Sequence, residues 1–382
     1  MDKRFFFFVI TITTLLFSCN TPKEAPDLLT IALSSSHPKI KRVMDSIAPY
    51  ELQVRYTKIN RTRDSIIFTD YNFQVNDSNY FYPASSVKIL TAVLTLEKLN
   101  EMDSLDRYTQ FYVEGDSLET SFANEILKLF TVSDNEANNR LFEFLGQDRI
   151  NQSLKDKGIA PVRISHRLST DNAFEVTTKP LIVYLNDSTT TMLAPSTNKP
   201  VNPLKLKKIK KGTAHHEENT LIHEPFDFSL KNYFPLSTQH EVWKRIIFPE
   251  QFSRNQRFNL SPDQQNFLLK AMSDLPRNKG YDQMDYYDGY GKFIMFGDTK
   301  DTIPENLKIY NKAGNAYGTM TDCAYIIDTK TNVEFMLTAT ILVNKDCVFN
   351  DNKYEYNDVG LPFLAQLGRE IYHLEVAEKL RK

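Results

Sequence analysis

The strand-forming segments of this chain lie in two groups near its two ends, and this order restricts the folds that are open to it. The segments have the β-branched and aromatic composition of strands and are separated within each group by short polar turns. The predicted strands are 52–56, 66–75, 307–310, 316–328 and 333–343. Strands joined by short turns pair antiparallel, so the two groups fit together as one five-stranded antiparallel sheet.

Apolar residues outside these strands recur at three- and four-residue spacing, which predicts helices. The predicted helices are 37–48, 85–99, 122–130, 136–144, 147–157, 262–272 and 362–380. The order helix, two strands, helical block, three strands, helix is typical of an α+β fold. We expect the sheet to be flanked by the terminal helices, with an all-helical subdomain at about residues 80–275 inserted between the second and third strands.

The first 18 residues are predicted to be a targeting segment that is not part of the fold. Two basic residues precede an apolar run at 5–17 that is too short to span a bilayer, as in a secretory signal peptide. The stretch Leu16-Phe17-Ser18-Cys19 resembles the lipobox of bacterial lipoproteins, which implies a lipid on Cys19; an ordinary cleaved signal is the alternative. Residues 19–36 are then a tether for a domain at 37–382. The mature protein is expected outside the cytoplasm, anchored on the periplasmic side of a membrane or at the cell surface.

Composition argues against several classes of function. A net charge of −2 gives no basic surface for nucleic acid, and 41% hydrophobic residues is ordinary for a globular domain. Beyond Cys19, Cys323 and Cys347 flank a predicted hairpin in which Cys323 would face a position near Ala339. Two buried free thiols are therefore expected in place of a disulfide. The histidines at 215–223 lie in a polar loop that is predicted to be exposed, so neither a metal nor a cofactor is predicted.

The segment 80–94 carries the first sign of catalytic chemistry. Its helical pattern places Ser85 and Lys88 on one face, because residues i and i+3 are neighbours on a helix. A helix start also offers unpaired backbone N–H groups, which suit developing negative charge. A hydroxyl with an amine one turn away fits a serine nucleophile with a lysine base. The alternative is that Ser85 only caps the helix and Lys88 is exposed. The chain contains two more pairs of this spacing, both in polar loops: Ser36 with Lys39, and Ser196 with Lys199.

Two further triplets favour the catalytic interpretation: Ser133-Asp134-Asn135 between two predicted helices, and Lys312-Ala313-Gly314 beside a predicted strand. Together with Ser85-x-x-Lys88 they resemble, in order and setting, the three motifs of class A β-lactamases and penicillin-binding DD-peptidases. The resemblance covers roughly residues 38–380, apart from an insertion at about 186–252. It implies a β-lactamase/transpeptidase-like fold and a serine hydrolase that works through an acyl-enzyme.

The resemblance also implies a role for each motif residue. Ser85 would be the nucleophile, Lys88 would take its proton, and Ser133 would relay that proton to the leaving nitrogen. The residues implied to bind substrate are Asn135, Lys312, Gly314 and Asn315. The backbone N–H groups of Ser85 and Asn315 would form the oxyanion hole. Asp134 is expected to brace its turn, and no metal is implied.

Two departures from the family pattern bear on the reaction. Class A enzymes carry a glutamate after the second motif that activates the deacylating water, and the corresponding stretch 162–172 contains no glutamate. Glu175 is the nearest and fits poorly, whereas Asp171 is a candidate substitute. Ala313 stands where the family usually has a serine or threonine that binds the substrate carboxylate. Without a deacylating base, a β-lactam acyl-enzyme is expected to form and persist, as in a penicillin-binding protein.

The sequence therefore predicts an extracytoplasmic, lipid-anchored serine hydrolase of the class A β-lactamase type. It would hydrolyse an amide, as in β-lactam catabolism, through an acyl-Ser85 intermediate. Two alternatives remain open: a penicillin-binding DD-peptidase or esterase relative without efficient β-lactam turnover, and a non-catalytic sensor of peptidoglycan or β-lactam. The expected partners are a small-molecule or peptidoglycan-derived substrate and the membrane that the lipid on Cys19 would reach. The chain is expected to be a monomer.

Overall fold

The computed structural model describes residues 26–63, 65–218 and 220–381. The predicted signal peptide and the predicted lipidation site at Cys19 lie outside these residues. Within the described ranges, no helix has the length and apolar character needed to cross a membrane.

The structure is α+β, as the order of predicted elements indicated. The α-helices are α1 (Leu28–Leu33), α2 (Pro38–Met44), α3 (Lys88–Leu99), α4 (Phe122–Thr131), α5 (Asn135–Leu145), α6 (Gln147–Asp156), α7 (Leu236–Ile247), α8 (Pro262–Ser273), α9 (Phe293–Phe296) and α10 (Leu361–Lys379). The strands are β1 (Gln53–Arg61), β2 (Ile66–Phe73), β3 (Gln110–Val113), β4 (Thr120–Ser121), β5 (Leu181–Asn186), β6 (Thr189–Leu193), β7 (Lys210–Lys211), β8 (Ala214–Glu217), β9 (Thr220–Ile222), β10 (Phe226–Asp227), β11 (Leu307–Asn311), β12 (Gly314–Ala316), β13 (Thr319–Asp328), β14 (Val333–Leu342) and β15 (Val348–Phe349).

The main sheet is antiparallel and contains all five predicted strands, in the order β11-β13-β14-β1-β2. The short strand β12 also pairs with β13. The two groups of strands from opposite ends of the chain meet where β1 pairs with β14, with Val54 opposite Ala339. Cys323 lies opposite Thr338, one position from the predicted partner, and is buried as expected. Cys347 was predicted to be buried but is exposed, because it lies beyond the end of β14.

Both faces of the sheet are buried, because successive residues of a strand point to opposite sides. On β13, Ala324 and Ile326 belong to a core that includes residues of α1, α2 and α10. Cys323 and Tyr325 belong to a second core with residues of α3, α4, α5, α7 and α8. Helix α1 lies inside the segment predicted as a tether, and its Leu29 is buried in the first core. The sheet is therefore the middle layer between the terminal helices and the inserted helices.

The inserted region is not all-helical, which corrects the prediction for residues 80–275. Strands β3 to β6 form a four-stranded sheet in the order β4-β3-β5-β6, and the insertion at 186–252 contributes to two smaller sheets. In β5, Leu181 and Val183 are buried and alternate with less buried neighbours, a period-two pattern too short to stand out among helical segments. The insertion also supplies α7, whose Trp243 is fully buried, so it forms part of the domain core.

Candidate active site

The first motif forms a tight turn that precedes the regular helix. Ala84–Val87 is a single 3-10 turn, and α3 begins only at Lys88. Ala84 has a φ of +48°, in the left-handed region that residues other than glycine rarely adopt. Backbone strain of this kind collects at functional sites, and here it immediately precedes Ser85. The Ser85 side chain caps no helix, so the alternative of a simple N-cap is wrong.

Lys88 is completely buried, not exposed as the N-cap alternative required. Its Nζ donates to the Ser133 carbonyl and to Asn135 Oδ1 at 2.7 Å, and lies 3.2 Å from Ser133 Oγ. Burial, helped by the nearby Lys312 ammonium, holds the pKa of Lys88 well below its usual range, which makes the amine available as a base. Among the described residues, no hydrogen bond joins Lys88 to Ser85 Oγ. Lys88 therefore links the first motif directly to the second.

The second motif forms the break between α4 and α5. Ser133 has a φ of +58°, and α5 starts two residues later at Asn135. The Asp134 side chain caps α5 by accepting from the backbone N–H of Ala137 at 2.9 Å. This contact supports the predicted bracing role of Asp134. Ser133 and Asn135 flank Asp134 at this break between the helices, and both contact the Lys88 amine.

Lys312 brings the third motif to the same serine hydroxyl. Its Nζ donates to Ser133 Oγ at 2.8 Å and to the carbonyl of Ala313 at 2.8 Å. Burial lowers the pKa of Lys312 to about 7; the Asp322 carboxylate opposes this shift, and the Lys292 ammonium adds to it. The Ser133 hydroxyl thus lies within hydrogen-bonding distance of two lysine amines that belong to different motifs.

A buried polar network supports Lys312, and no local sequence pattern indicated this network. Asn311 Nδ2 donates to Asp322 Oδ1 at 2.8 Å, and Lys292 Nζ donates to Asn311 Oδ1 at 2.8 Å. The backbone N–H of Ile294 donates to Asp322 Oδ2 at 3.1 Å. Burial raises the pKa of Asp322 to about 6 and lowers that of Lys292 to about 8. These groups set the charge around Lys312.

Gly314 lies against the turn that carries the candidate nucleophile Ser85. A Cβ at this position would meet the backbone nitrogen of Ser85 at 2.5 Å and that of Ser86 at 2.8 Å. The resemblance implied a substrate-binding role for Gly314, and the structure adds that glycine here allows β12 to contact the Ser85 turn. The next residue, Asn315, is exposed on β12.

The motif residues meet in one cavity of about 350 Å³. The residues of the predicted site that line it are Ser85, Ser133, Asn135, Lys312, Gly314 and Asn315. Three tyrosines that sequence reasoning missed also line it: Tyr287, Tyr290 and Tyr356. The first two belong to a tyrosine-rich stretch at 281–290, and this composition was the one available signal. No carboxylate is among the described residues that line this cavity.

The candidate deacylating base Asp171 does not reach the cavity of Ser85. It lines a separate cavity of about 530 Å³, and Glu175 is exposed outside both cavities. The preceding loop is held firmly: Asn139 Nδ2 donates to the Leu168 carbonyl at 2.8 Å, and Leu168 N donates to Asn139 Oδ1 at 2.9 Å. Arg167, 1% exposed, forms an ion pair with Glu143 at 2.6 Å. The loop is therefore well ordered by contacts, but it offers Ser85 no carboxylate.

Residues 39–198 match the model of the β-lactamase enzyme family, a stretch that contains the first two motifs and ends before the third. No curated protein sequence matches the chain. A β-lactamase structure from Xanthomonas campestris pv. campestris str. ATCC 33913 has a TM-score of 0.53 at 14% identity, covering 91% of this chain and 97% of that one. A representative of class A β-lactamase from Bacteroides cellulosilyticus DSM 14838 has a TM-score of 0.52 at 12% identity, covering 89% of this chain and 98% of that one. A β-lactamase from Streptosporangium roseum has a TM-score of 0.51 at 11% identity, covering 88% of this chain and 97% of that one.

At these identities the structural likeness establishes the fold, which is that of class A β-lactamases. Together with the family match, it confirms the resemblance drawn from the three motifs. The sequence of residues 39–198 thus matches the β-lactamase enzyme family, and the chain has the fold of class A β-lactamases.

Proposed function

We propose that this protein is an extracytoplasmic serine hydrolase, lipid-anchored through Cys19, that cleaves a β-lactam or a related amide through an acyl-enzyme on Ser85. The observation that carries the proposal is the convergence of three distant motifs: Ser85, Ser133 and Lys312 line one cavity, and the buried Lys88 amine contacts the second motif. A structural role alone does not explain two buried lysines with lowered pKa values around one serine hydroxyl.

The contacts suggest how each group acts. Ser85 Oγ attacks the carbonyl carbon while the Lys88 amine, whose pKa is lowered by burial, takes its proton. The backbone N–H groups of Ser85 and Asn315 stabilise the oxyanion. Ser133 then gives its proton to the leaving nitrogen as the C–N bond breaks, and it recovers a proton from Lys88. Lys312 donates to Ser133 Oγ and supplies positive potential to an anionic substrate. Water attack on the ester releases the acid and restores Ser85.

A second candidate function is supported by the cavity lining. Deacylation needs a base for the water, and no carboxylate lines the cavity among the described residues. This observation favours a long-lived acyl-enzyme, as in a penicillin-binding DD-peptidase or an esterase relative. A non-catalytic sensor would share the binding but not the turnover.

Intact-mass measurement distinguishes these functions. The chain without residues 1–25 is incubated with a fluorescent penicillin and with a chromogenic cephalosporin. Turnover supports a β-lactamase, a stable adduct supports a penicillin-binding protein, and ester hydrolysis without an adduct supports an esterase. Ser85→Ala should abolish every reaction. The matched control is Ser36→Ala, an exposed serine with the same spacing to a lysine; full activity of Ser85→Ala would falsify the mechanism.

The anchor is tested separately on the full chain. Cys19→Ser should remove fatty-acid incorporation and move the protein from the membrane fraction to the soluble extracytoplasmic fraction. If Cys19→Ser stays in the membrane fraction with its lipid label, the proposed lipidation site is wrong.

A further inference from the structure

The cavity of about 530 Å³ adjoins the cavity that contains Ser85. Asn315 and Tyr356 line both, so a group bonded to Ser85 can extend past Asn315 from one into the other. We call this second space the Lys231 cavity, after the one lysine among the described residues that line it.

Lys231 comes from the insertion at 186–252 and has an unusual environment for a charged group. Its Nζ lies 4.9 Å from the ring centre of Phe174, 5.8 Å from that of Tyr317 and 5.9 Å from that of Phe226. Among the described residues no carboxylate forms an ion pair with Lys231, although Asp171 lines the same cavity. Burial lowers the pKa of Lys231. The aromatic rings hold the amine but leave its N–H groups without an anionic acceptor.

Hydrogen bonds hold the Lys231 backbone, and the aromatic rings around its amine restrict where the side chain can lie. Its N–H donates to the Phe228 carbonyl at 2.9 Å, and its own carbonyl accepts from Arg163 Nη2 at 2.6 Å. A cation placed in this way can bind an anion with little loss of chain entropy.

His166 lines the same cavity. The residue is 5% exposed, and its ring is parallel to that of Tyr82 and 5.1 Å from the ring of Phe174. Nδ1 bonds to the carbonyl of Arg167, and a carbonyl only accepts, so Nδ1 carries the proton. Burial lowers the pKa of His166 to about 4, so the ring is neutral at pH 7. Nε2 is then an acceptor, and it is buried without a partner among the described residues. Such groups are rare in native structures because they cost free energy.

We propose that the Lys231 cavity is a specificity subsite for an acyl group that carries a carboxylate beside an amide N–H. Lys231 pairs with the carboxylate, His166 Nε2 accepts from the N–H, and the rings of Tyr82, Phe174 and Tyr317 contact the organic frame between them. The insertion therefore selects substrates by the charge of the acyl group. This inference rests on the proposed acyl transfer to Ser85, because the acyl group is the part that remains bonded there.

Two penicillins that differ in one group test the role of Lys231. Benzylpenicillin and its α-carboxy derivative carbenicillin share the aromatic ring and the acyl amide, and only the second has the side-chain carboxylate. The second-order rate of Ser85 acylation, from quenched intact mass, should be about tenfold higher for carbenicillin, the size expected for one charge-assisted hydrogen bond. Lys231→Met should abolish this preference and Lys231→Arg should keep it. The control is Lys205→Met, an exposed lysine of the same insertion, which should leave the preference unchanged.

A binding measurement separates this inference from the proposed function. Full-length Ser85→Ala is titrated with phenylmalonic acid monoamide and with phenylacetamide, followed by NMR, so no covalent step is needed. The monoamide should bind about tenfold more tightly, again only when Lys231 or arginine is present. His166→Phe should weaken both ligands equally, because both have the amide. If penicillins never acylate Ser85 but the fragment preference holds, the proposed function fails and the subsite stands. If acylation occurs without any preference in either assay, or if Lys231→Met retains the preference, the subsite is refuted.

Discussion

Gly314→Ala is expected to move the nucleophile by a distance that can be calculated from the structure. The new Cβ would start 2.5 Å from Ser85 N and 2.8 Å from Ser86 N, both backbone atoms. Ordinary van der Waals contact begins at 3.4 Å, so β12 and the Ser85 turn must separate by about 0.9 Å. A misplacement of about 1 Å at a reacting centre lowers a rate by about 10²-fold. Forced separation of packed backbone costs about 1–3 kcal/mol of unfolding free energy.

The assay compares acylation by a fluorescent penicillin with stability in urea for the same variants. Gly291→Ala is the matched control: it lines the same cavity, and its added Cβ meets nothing within 4 Å. Gly291→Ala should acylate within about threefold of the parent chain and unfold at the same urea concentration. Gly314→Ala should lose about 10²-fold in rate while remaining folded at room temperature. Parental acylation kinetics in Gly314→Ala would show that contact with β12 does not position Ser85.

Three further predictions concern charge and capping. Acylation should decline as the pH rises through the lowered pKa of Lys312, about 7, because Lys312 then loses the proton with which it donates to Ser133 Oγ. Lys312→Arg stays charged and should remove this alkaline decline from the pH–rate profile. A decline that persists in Lys312→Arg would contradict the prediction. Glu143→Gln leaves the guanidinium of Arg167 buried without its carboxylate. The variant should lose about 3–5 kcal/mol of unfolding free energy in urea titration. A loss of less than about 1 kcal/mol would be inconsistent with that burial. Asp134→Ala removes the cap on α5 and should cost about 1 kcal/mol of stability, with the KM for β-lactam unchanged if Asp134 does not touch substrate.

The electrostatics of the site depend on an uneven balance of charges. Lys88, Lys292 and Lys312 are buried near one another. Asp322 is the carboxylate that most raises the pKa values of Lys292 and Lys312. Burial lowers the pKa values of all three lysines, and repulsion from a neighbouring ammonium adds to this shift for Lys88 and Lys312. The same arrangement attracts an anionic substrate. One buried charge imbalance therefore serves both binding and proton transfer.

This chain departs most from the pattern it resembles in the loop that would supply a base for the deacylating water. The loop at 162–178 is ordered by the contacts of Arg167 and Asn139, yet it directs His166 and Asp171 into the Lys231 cavity. The loop thus contributes to the second cavity and gives the Ser85 cavity no base.

Much of the fold could be predicted because it depends on local patterns. Period two in the strands and three- to four-residue spacing in the helices located the five main strands and helices α2 to α6, α8 and α10, but not the core helix α7. The short strands of the inserted region were missed because a few alternating residues do not stand out from a helical background. Residues 85–87 were predicted as the start of the helix at 85–99 but belong to a 3-10 turn, because the left-handed residue before them is an alanine and no glycine marks the turn.

By itself the sequence determined which chemical groups the chain carries, in which order, and hence the superfamily and the candidate nucleophile Ser85. Only the tertiary structure decided what those groups face. Lys88 and Lys312 have lowered pKa values because the fold buries them around Ser133. Gly314 is required because β12 contacts the Ser85 turn. Lys231 and His166 share a cavity although 65 residues and several elements separate them along the chain. Burial and distance between remote segments arise from packing of the whole chain, and no local pattern encodes them.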